Sequence, residues 1–196
     1  MPQNAVRSPT HSSFPVSHAA GLILVALLLS APAAAIFTYL DDHRRLSEHM
    51  TRRSWMMAGS RMQVVMDADE GRAVGSTIQM RGRVLGIELE LKEMVIERNP
   101  PVRKVWRTTT PPRLLVIGPY RLGFEITPQG AASMLRVFID YALPDSGFGR
   151  WLGRVLGAWY ARWCTRRMAN DAAAHFKKAA SGADRPPDSH ERGGLA

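Results

Sequence analysis

A run of strand-like segments followed by one long amphipathic helix constrains this chain more than any other feature. From Phe148 to Phe176 apolar residues recur at Trp151, Leu152, Val155, Leu156, Trp159, Tyr160, Trp163 and Met168, the three-and-four spacing of one helical face. Arg150, Arg154, Arg162, Arg166 and Arg167 fall between them and can stay in water or snorkel. A single helix with so many aromatics on one side requires a broad apolar partner, which the preceding strands supply. The pattern predicts the aromatic face packed on a sheet, with the function in the space between helix and sheet.

Those strands show as alternation broken by turn residues. Ser76–Leu85 sets Ile78, Met80, Gly82 and Val84 against Gln79, Arg81 and Arg83; Ile87–Ile96 sets Ile87, Leu89 and Leu91 against Glu88, Glu90 and Lys92. Asn99-Pro-Pro101 stops the second, and Arg103–Thr110 forms another around Val105 and Trp106. Tyr120–Thr127 and Met134–Leu143 flank Pro128-Gln-Gly130, a hairpin signal. Leu114–Ile117 reads as a strand extension or a covering loop.

The N-terminal third has two readings. Leu22–Leu29 is an unbroken apolar run that suits a fully buried strand, turning at Pro32 into a short helix, Ala33–Leu40, with a second helix at Arg44–Met50. Alternatively Gly21–Leu40 is a signal or membrane anchor, with an Ala-x-Ala at Ala33 and Ala35. Residues 1–20 and 179–196 are polar tails expected to be disordered, leaving one domain over residues 21–178.

Composition narrows the function classes. A net charge of +9 and a pI near 10.6 invite polyanion binding, but the arginines are scattered and no nucleic-acid module is recognisable. A solvated basic surface follows, with contact to an anionic membrane as a possible extra and no specific nucleic acid. Cys164 is the only cysteine, which excludes an internal disulfide and any multi-cysteine metal site; near the apolar edge of the last helix it reads as a buried, inert thiol. The chain has no phosphate loop, dinucleotide fingerprint, zinc spacing or nucleophile–base pair. No metal and no cofactor is expected.

Three stretches carry a family resemblance. SAPAAAIFTYLDD (30–42) resembles a first-strand exit and helix, VLGIELELKEMVIERNPPVRKVW (84–106) the central strands, and GFEITPQGAASMLRVFIDYALP (123–144) the last hairpin, of the START-like or SRPBCC superfamily, the polyketide cyclase/dehydrase and lipid-transport group. The resemblance implies an α+β helix-grip fold: a curved seven-stranded antiparallel sheet around a long C-terminal helix, with two short helices after the first strand. It implies that Leu22–Ser30 is a retained strand lying between other strands.

The same resemblance implies an apolar cavity along the helix, suited to a lipid, isoprenoid or polyketide-like molecule. Met57, Met62, Met80, Trp106, Phe124, Phe138, Trp159 and Trp163 are the expected lining, since methionine adapts to irregular shapes and aromatics supply area. His49, Glu125, Arg136 and Asp140 are the polar candidates, an arginine–carboxylate pair being suited to a polar head group. Binding or transport of a hydrophobic small molecule is the expected function. The alternatives are a cyclase/aromatase-type enzyme and a membrane-anchored lipid-handling domain. The expected location is cytoplasmic, or membrane-anchored or exported if residues 21–40 act as anchor or signal.

Overall fold

Alternating sequence becomes seven strands in the structure, a computed structural model that describes residues 19–46, 62–84, 87–145 and 147–183. They are β1 (Ala19–Leu29), β2 (Met62–Met66), β3 (Thr77–Val84), β4 (Ile87–Asn99), β5 (Arg103–Thr108), β6 (Tyr120–Gln129) and β7 (Ala132–Ala142). Helix α1 (Ala33–Asp41) follows β1, and the long helix α2 (Gly147–Ala183) closes the fold. The strands form one antiparallel sheet in the order β1-β7-β6-β5-β4-β3-β2. This is the α+β architecture expected, a seven-stranded sheet with a long C-terminal helix.

Turn chemistry sets the hairpins. Gly130 adopts φ 63°, a left-handed conformation that glycine takes without steric cost, and joins β6 to β7 with Gln129 paired to Ala132. Pro100 and Pro101 close the turn between β4 and β5, where neither needs to donate to the ladder. Leu114–Ile117 lies in the covering loop, held by the Arg113–Glu90 bridge.

The first strand departs from expectation. Ala19–Leu29 is a strand, but it pairs only with β7 among the described residues and stands at the edge of the sheet. Its apolar run is therefore not buried on both faces: Ile23, Val25 and Leu27 pack on the core, while Leu22, Leu24 and Leu28 point outward, 64%, 56% and 58% exposed. Of the second short helix, residues 43–46 are helical and the remainder lies outside the described residues, as do residues 1–18 and 184–196 of the two tails. Residues 19–20 instead open β1, and residues 179–183, expected to be disordered, continue the long helix. No helix among the described residues is long and apolar enough to cross a membrane.

The long helix is turned the other way round from the sequence expectation. Its buried side is a row of small residues four apart, Gly149, Gly153, Gly157, Ala161, Thr165 and Ala169. Gly153 and Gly157 of that row lie against the Val116 carbonyl, with Pro144 beside the first and Tyr141 of β7 beside the second. Phe148, Trp151, Val155 and Trp159 face outward, 74%, 61%, 59% and 48% exposed. A row of small residues at i, i+4 gives a smooth groove into which the neighbouring backbone fits, so the helix approaches closely without large side chains. A Cβ at Gly153 would lie 2.8 Å from Pro144 Cδ and 2.9 Å from the Val116 carbonyl oxygen. Gly153→Ala is thus expected to destabilise the fold by about 1–3 kcal/mol despite the better helix propensity of alanine. Thermal unfolding measures this; an unchanged or higher Tm would show that the close seat is not needed.

Candidate functional site: a buried carboxyl in an apolar cavity

Among the described residues α2 approaches β1 and β7 most closely, and a space remains between it and the inner face of the middle strands. There β3 and β4 send Met80, Leu91 and Glu93 inward, β5 and β6 send Trp106, Tyr120 and Leu122, and α2 sends Tyr160, Cys164 and Met168 back toward them. They enclose a cavity of about 50 Å3 with an almost wholly apolar wall. That is room for a small group or a few water molecules.

Glu93 is the one carboxyl among the described residues of that wall, which His43, Tyr120 and Tyr160 also line. It continues the inward phase of Leu89 and Leu91 and is only 1% exposed. The Tyr120 hydroxyl donates a hydrogen bond to its Oε1, while Oε2 has no hydrogen-bond partner. Burial pushes its carboxyl up to about 7, although the hydrogen bond from Tyr120 and the nearby Trp106 ring N–H pull the other way. Burial likewise drives the Tyr120 phenol well above its ordinary value, with the Glu93 charge adding to it. A carboxyl poised near neutrality, one oxygen anchored and the other bare in an apolar space, can accept from a polar group on a bound molecule or exchange a proton with it. Cys164 on the opposite wall is pushed up to about 12 by burial, so its thiol stays protonated, as expected of an inert cysteine.

Beside the cavity lies a buried ionic cluster. Lys104 is wholly inaccessible, and its Nζ donates to Asp41 Oδ1 at 2.7 Å and to the Asp41 carbonyl at 3.0 Å. It also lies 3.1 Å from Nδ1 of His43, whose ring edge abuts Trp106. Arg98 closes the cluster with Nη2 2.8 Å from Asp41 Oδ2. Burial alone would raise the Asp41 carboxyl, but the bonds from Arg98 and Lys104 hold it below the usual range. Burial lowers Lys104 against the pull of Asp41. Burial and the Lys104 charge lower His43 to about 3, so the imidazole is neutral and Nδ1 accepts. The cluster ties the end of α1 to β4 and β5, beneath one end of the cavity.

The residues singled out from sequence divide sharply. Met80 and Trp106 line the cavity. Phe124 is buried in the adjoining core, edge-on to Phe37 and Trp106. Met62 opens β2 opposite Gly82. Met57 and His49 lie outside the described residues. Phe138 is buried on the other face of the sheet, over Gly123 and under the Arg103 guanidinium, 5.2 Å from its ring centroid. Trp159 and Trp163 border an outer groove of α2, because the row of small residues and not the aromatic row is the buried side of the helix.

Glu125, Arg136 and Asp140 also sit on the outer face, in phase with Phe138 and opposite to the inward Leu135, Val137 and Ile139. There Glu125 meets Arg103 at 3.5 Å and Asp140 meets Arg121 at 3.8 Å. They are cross-strand pairs, not a head-group clamp. Glu93, Tyr120, Asp41 and Lys104 were missed. The phase of Leu89-x-Leu91-x-Glu93-x-Val95 was the signal that could have found Glu93.

A seven-stranded antiparallel sheet, a long terminal helix across it and a cavity beneath define the helix-grip fold of START-like SRPBCC proteins, and this chain has that fold. It is similar to the Zhui aromatase/cyclase of Streptomyces sp. R1128, with a TM-score of 0.62 at 10% identity over 85% of this chain and 99% of that one. It is also similar to the protein TTHA0849 of Thermus thermophilus, with 0.59 at 12% over 81% and 99%. Norcoclaurine synthase of Thalictrum flavum gives 0.58 at 14% over 90% and 99%. At such identities the likeness is one of fold. No protein-family profile and no curated protein matches the chain.

Proposed function

We propose that the protein binds a hydrophobic small molecule, of the lipid, isoprenoid or polyketide-like kind, between the sheet and α2, with a polar group of that molecule held by Glu93. The observation that carries this reading is the bare Oε2 of a fully buried carboxyl aimed into an apolar cavity. Such an oxygen is costly to leave unpaired, and a ligand hydroxyl, amine or carbonyl (the last when Glu93 is protonated) removes that cost. Two structural neighbours, an aromatase/cyclase and norcoclaurine synthase, carry the same fold and lend the reading support. A ligand larger than the 50 Å3 space enters with displacement of the cavity wall.

Native mass spectrometry after gentle purification tests the binding. An extra mass released by organic extraction is expected from the parent chain and is expected to be strongly depleted in Glu93→Leu. An interior empty in every preparation, or an undiminished ligand in the variant, would sink the reading.

A second reading, a cyclase/aromatase-type enzyme, is favoured by one observation, the Glu93 carboxyl near 7, the value suited to a general acid or base at neutral pH. It separates from simple binding in Glu93→Gln. Turnover of a polyketide-like substrate would vanish in that variant while the ligand was still carried.

A further inference from the structure

The outward side of α2 presents what a soluble helix ordinarily buries. Phe148, Trp151, Val155 and Trp159 follow one another at steps of three and four along a single ridge, flanked by Leu156 at 38% exposure. The same ridge continues at the same spacing as Arg162 and Arg166. Arg150 and Arg154 flank its apolar half, and both are exposed. The only acidic residue on α2 is Asp171, already paired with Arg167 at 3.1 Å. Between the cationic turns lies a groove of about 320 Å3, lined among the described residues by Trp159, Arg162, Trp163, Arg166, Arg167 and Asn170.

We propose that this ridge is a docking surface for an anionic lipid bilayer. Phe148, Trp151 and Val155 would enter the headgroup–acyl boundary, and Arg154, Arg162 and Arg166 would meet lipid phosphates. Charge complementarity decides the occupant. A second copy docked ridge to ridge would set Arg162 and Arg166 against apolar side chains or against one another, with no free carboxylate on either helix to offset them. A nucleic acid would match the arginines but leave Phe148 and Val155 without an apolar partner. Anionic lipid satisfies both halves: aromatic rings and arginine stems suit the interface, and the guanidinium groups suit its negative surface. The inference does not depend on the cavity ligand.

The test uses the full chain with vesicles of phosphatidylcholine alone and of phosphatidylcholine mixed with phosphatidylglycerol, read by flotation. Binding to the mixed vesicles is expected to exceed that to the neutral ones at least tenfold and to weaken in high salt. Phe148→Ser/Trp151→Ser and, separately, Arg162→Glu/Arg166→Glu are each expected to weaken it at least tenfold. These side chains are not buried in the core, so both variants should keep the parent Tm. No binding to the mixed vesicles at low salt, or equal binding by parent and variants, overturns the proposal. So does light scattering that shows a parent dimer split by Phe148→Ser/Trp151→Ser, which would give the ridge to a second copy.

Discussion

Replacing Asp41 by alanine is expected to lower the stability of the protein by about 3–5 kcal/mol, the range for breaking a buried ion pair by removing one partner. The size follows from what is left behind. Lys104 has no exposure, and Asp41 accepts two of its hydrogen bonds and also neutralises Arg98. The alanine variant keeps two cations near each other in a region with little water. For a domain of this length the loss corresponds to a Tm roughly 10 °C lower. Urea denaturation of the parent, Asp41→Ala and the doubly apolar Asp41→Leu/Lys104→Met separates the causes. The double variant is expected to recover most of the loss, because no charge is then stranded. A loss below about 1 kcal/mol in the single variant would mean that the cluster is not what fastens α1. In the parent, the folded Asp41 carboxyl lies below its ordinary value, so its contribution is present above that value and disappears as pH falls through the folded one.

The second large effect has the opposite sign. Glu93 is raised from 4.5 to about 7 by burial, so the folded chain holds its proton more tightly than the unfolded one. Stability therefore declines as pH rises from about 4.5 to about 7 and is level above. The span corresponds to about 3 kcal/mol. Glu93→Gln is neutral at every pH and keeps an oxygen for the Tyr120 hydroxyl, so it is expected to match the parent near pH 4.5. At pH 8 it should exceed the parent by up to about 3 kcal/mol. Denaturation midpoints at the two pH values decide this. Equal gains at both, or no gain at pH 8, would mean that the carboxyl titrates outside this window.

The strands were legible in the sequence because a half-buried strand alternates, and Ile78-x-Met80 and Leu89-x-Leu91 do so cleanly. The helix was legible as a helix, but its buried side was not. Large aromatics are the usual core signal, and here the signal was the quieter row Gly149, Gly153, Gly157, Ala161, which only a close-packed seat requires. Edge position explains the first strand: Leu22–Leu29 is apolar throughout, so alternation could not separate its covered face from its open one. The cavity carboxyl was hidden by its charge, because a glutamate in a strand is normally assigned to water. Its place in the phase of Leu89, Leu91 and Val95 outweighed its residue type. Asp41 and Lys104 are 63 positions apart in sequence, and no local pattern joins them.

Lys104 also lends the molecule a built-in reporter. Its ammonium is enclosed, and its hydrogens are committed to two oxygens and one imidazole nitrogen. Acylating reagents that reach Lys177 and Lys178, exposed on α2, find no approach to it while the sheet and α1 stay together. Modification of that one amine therefore records how often the interior opens.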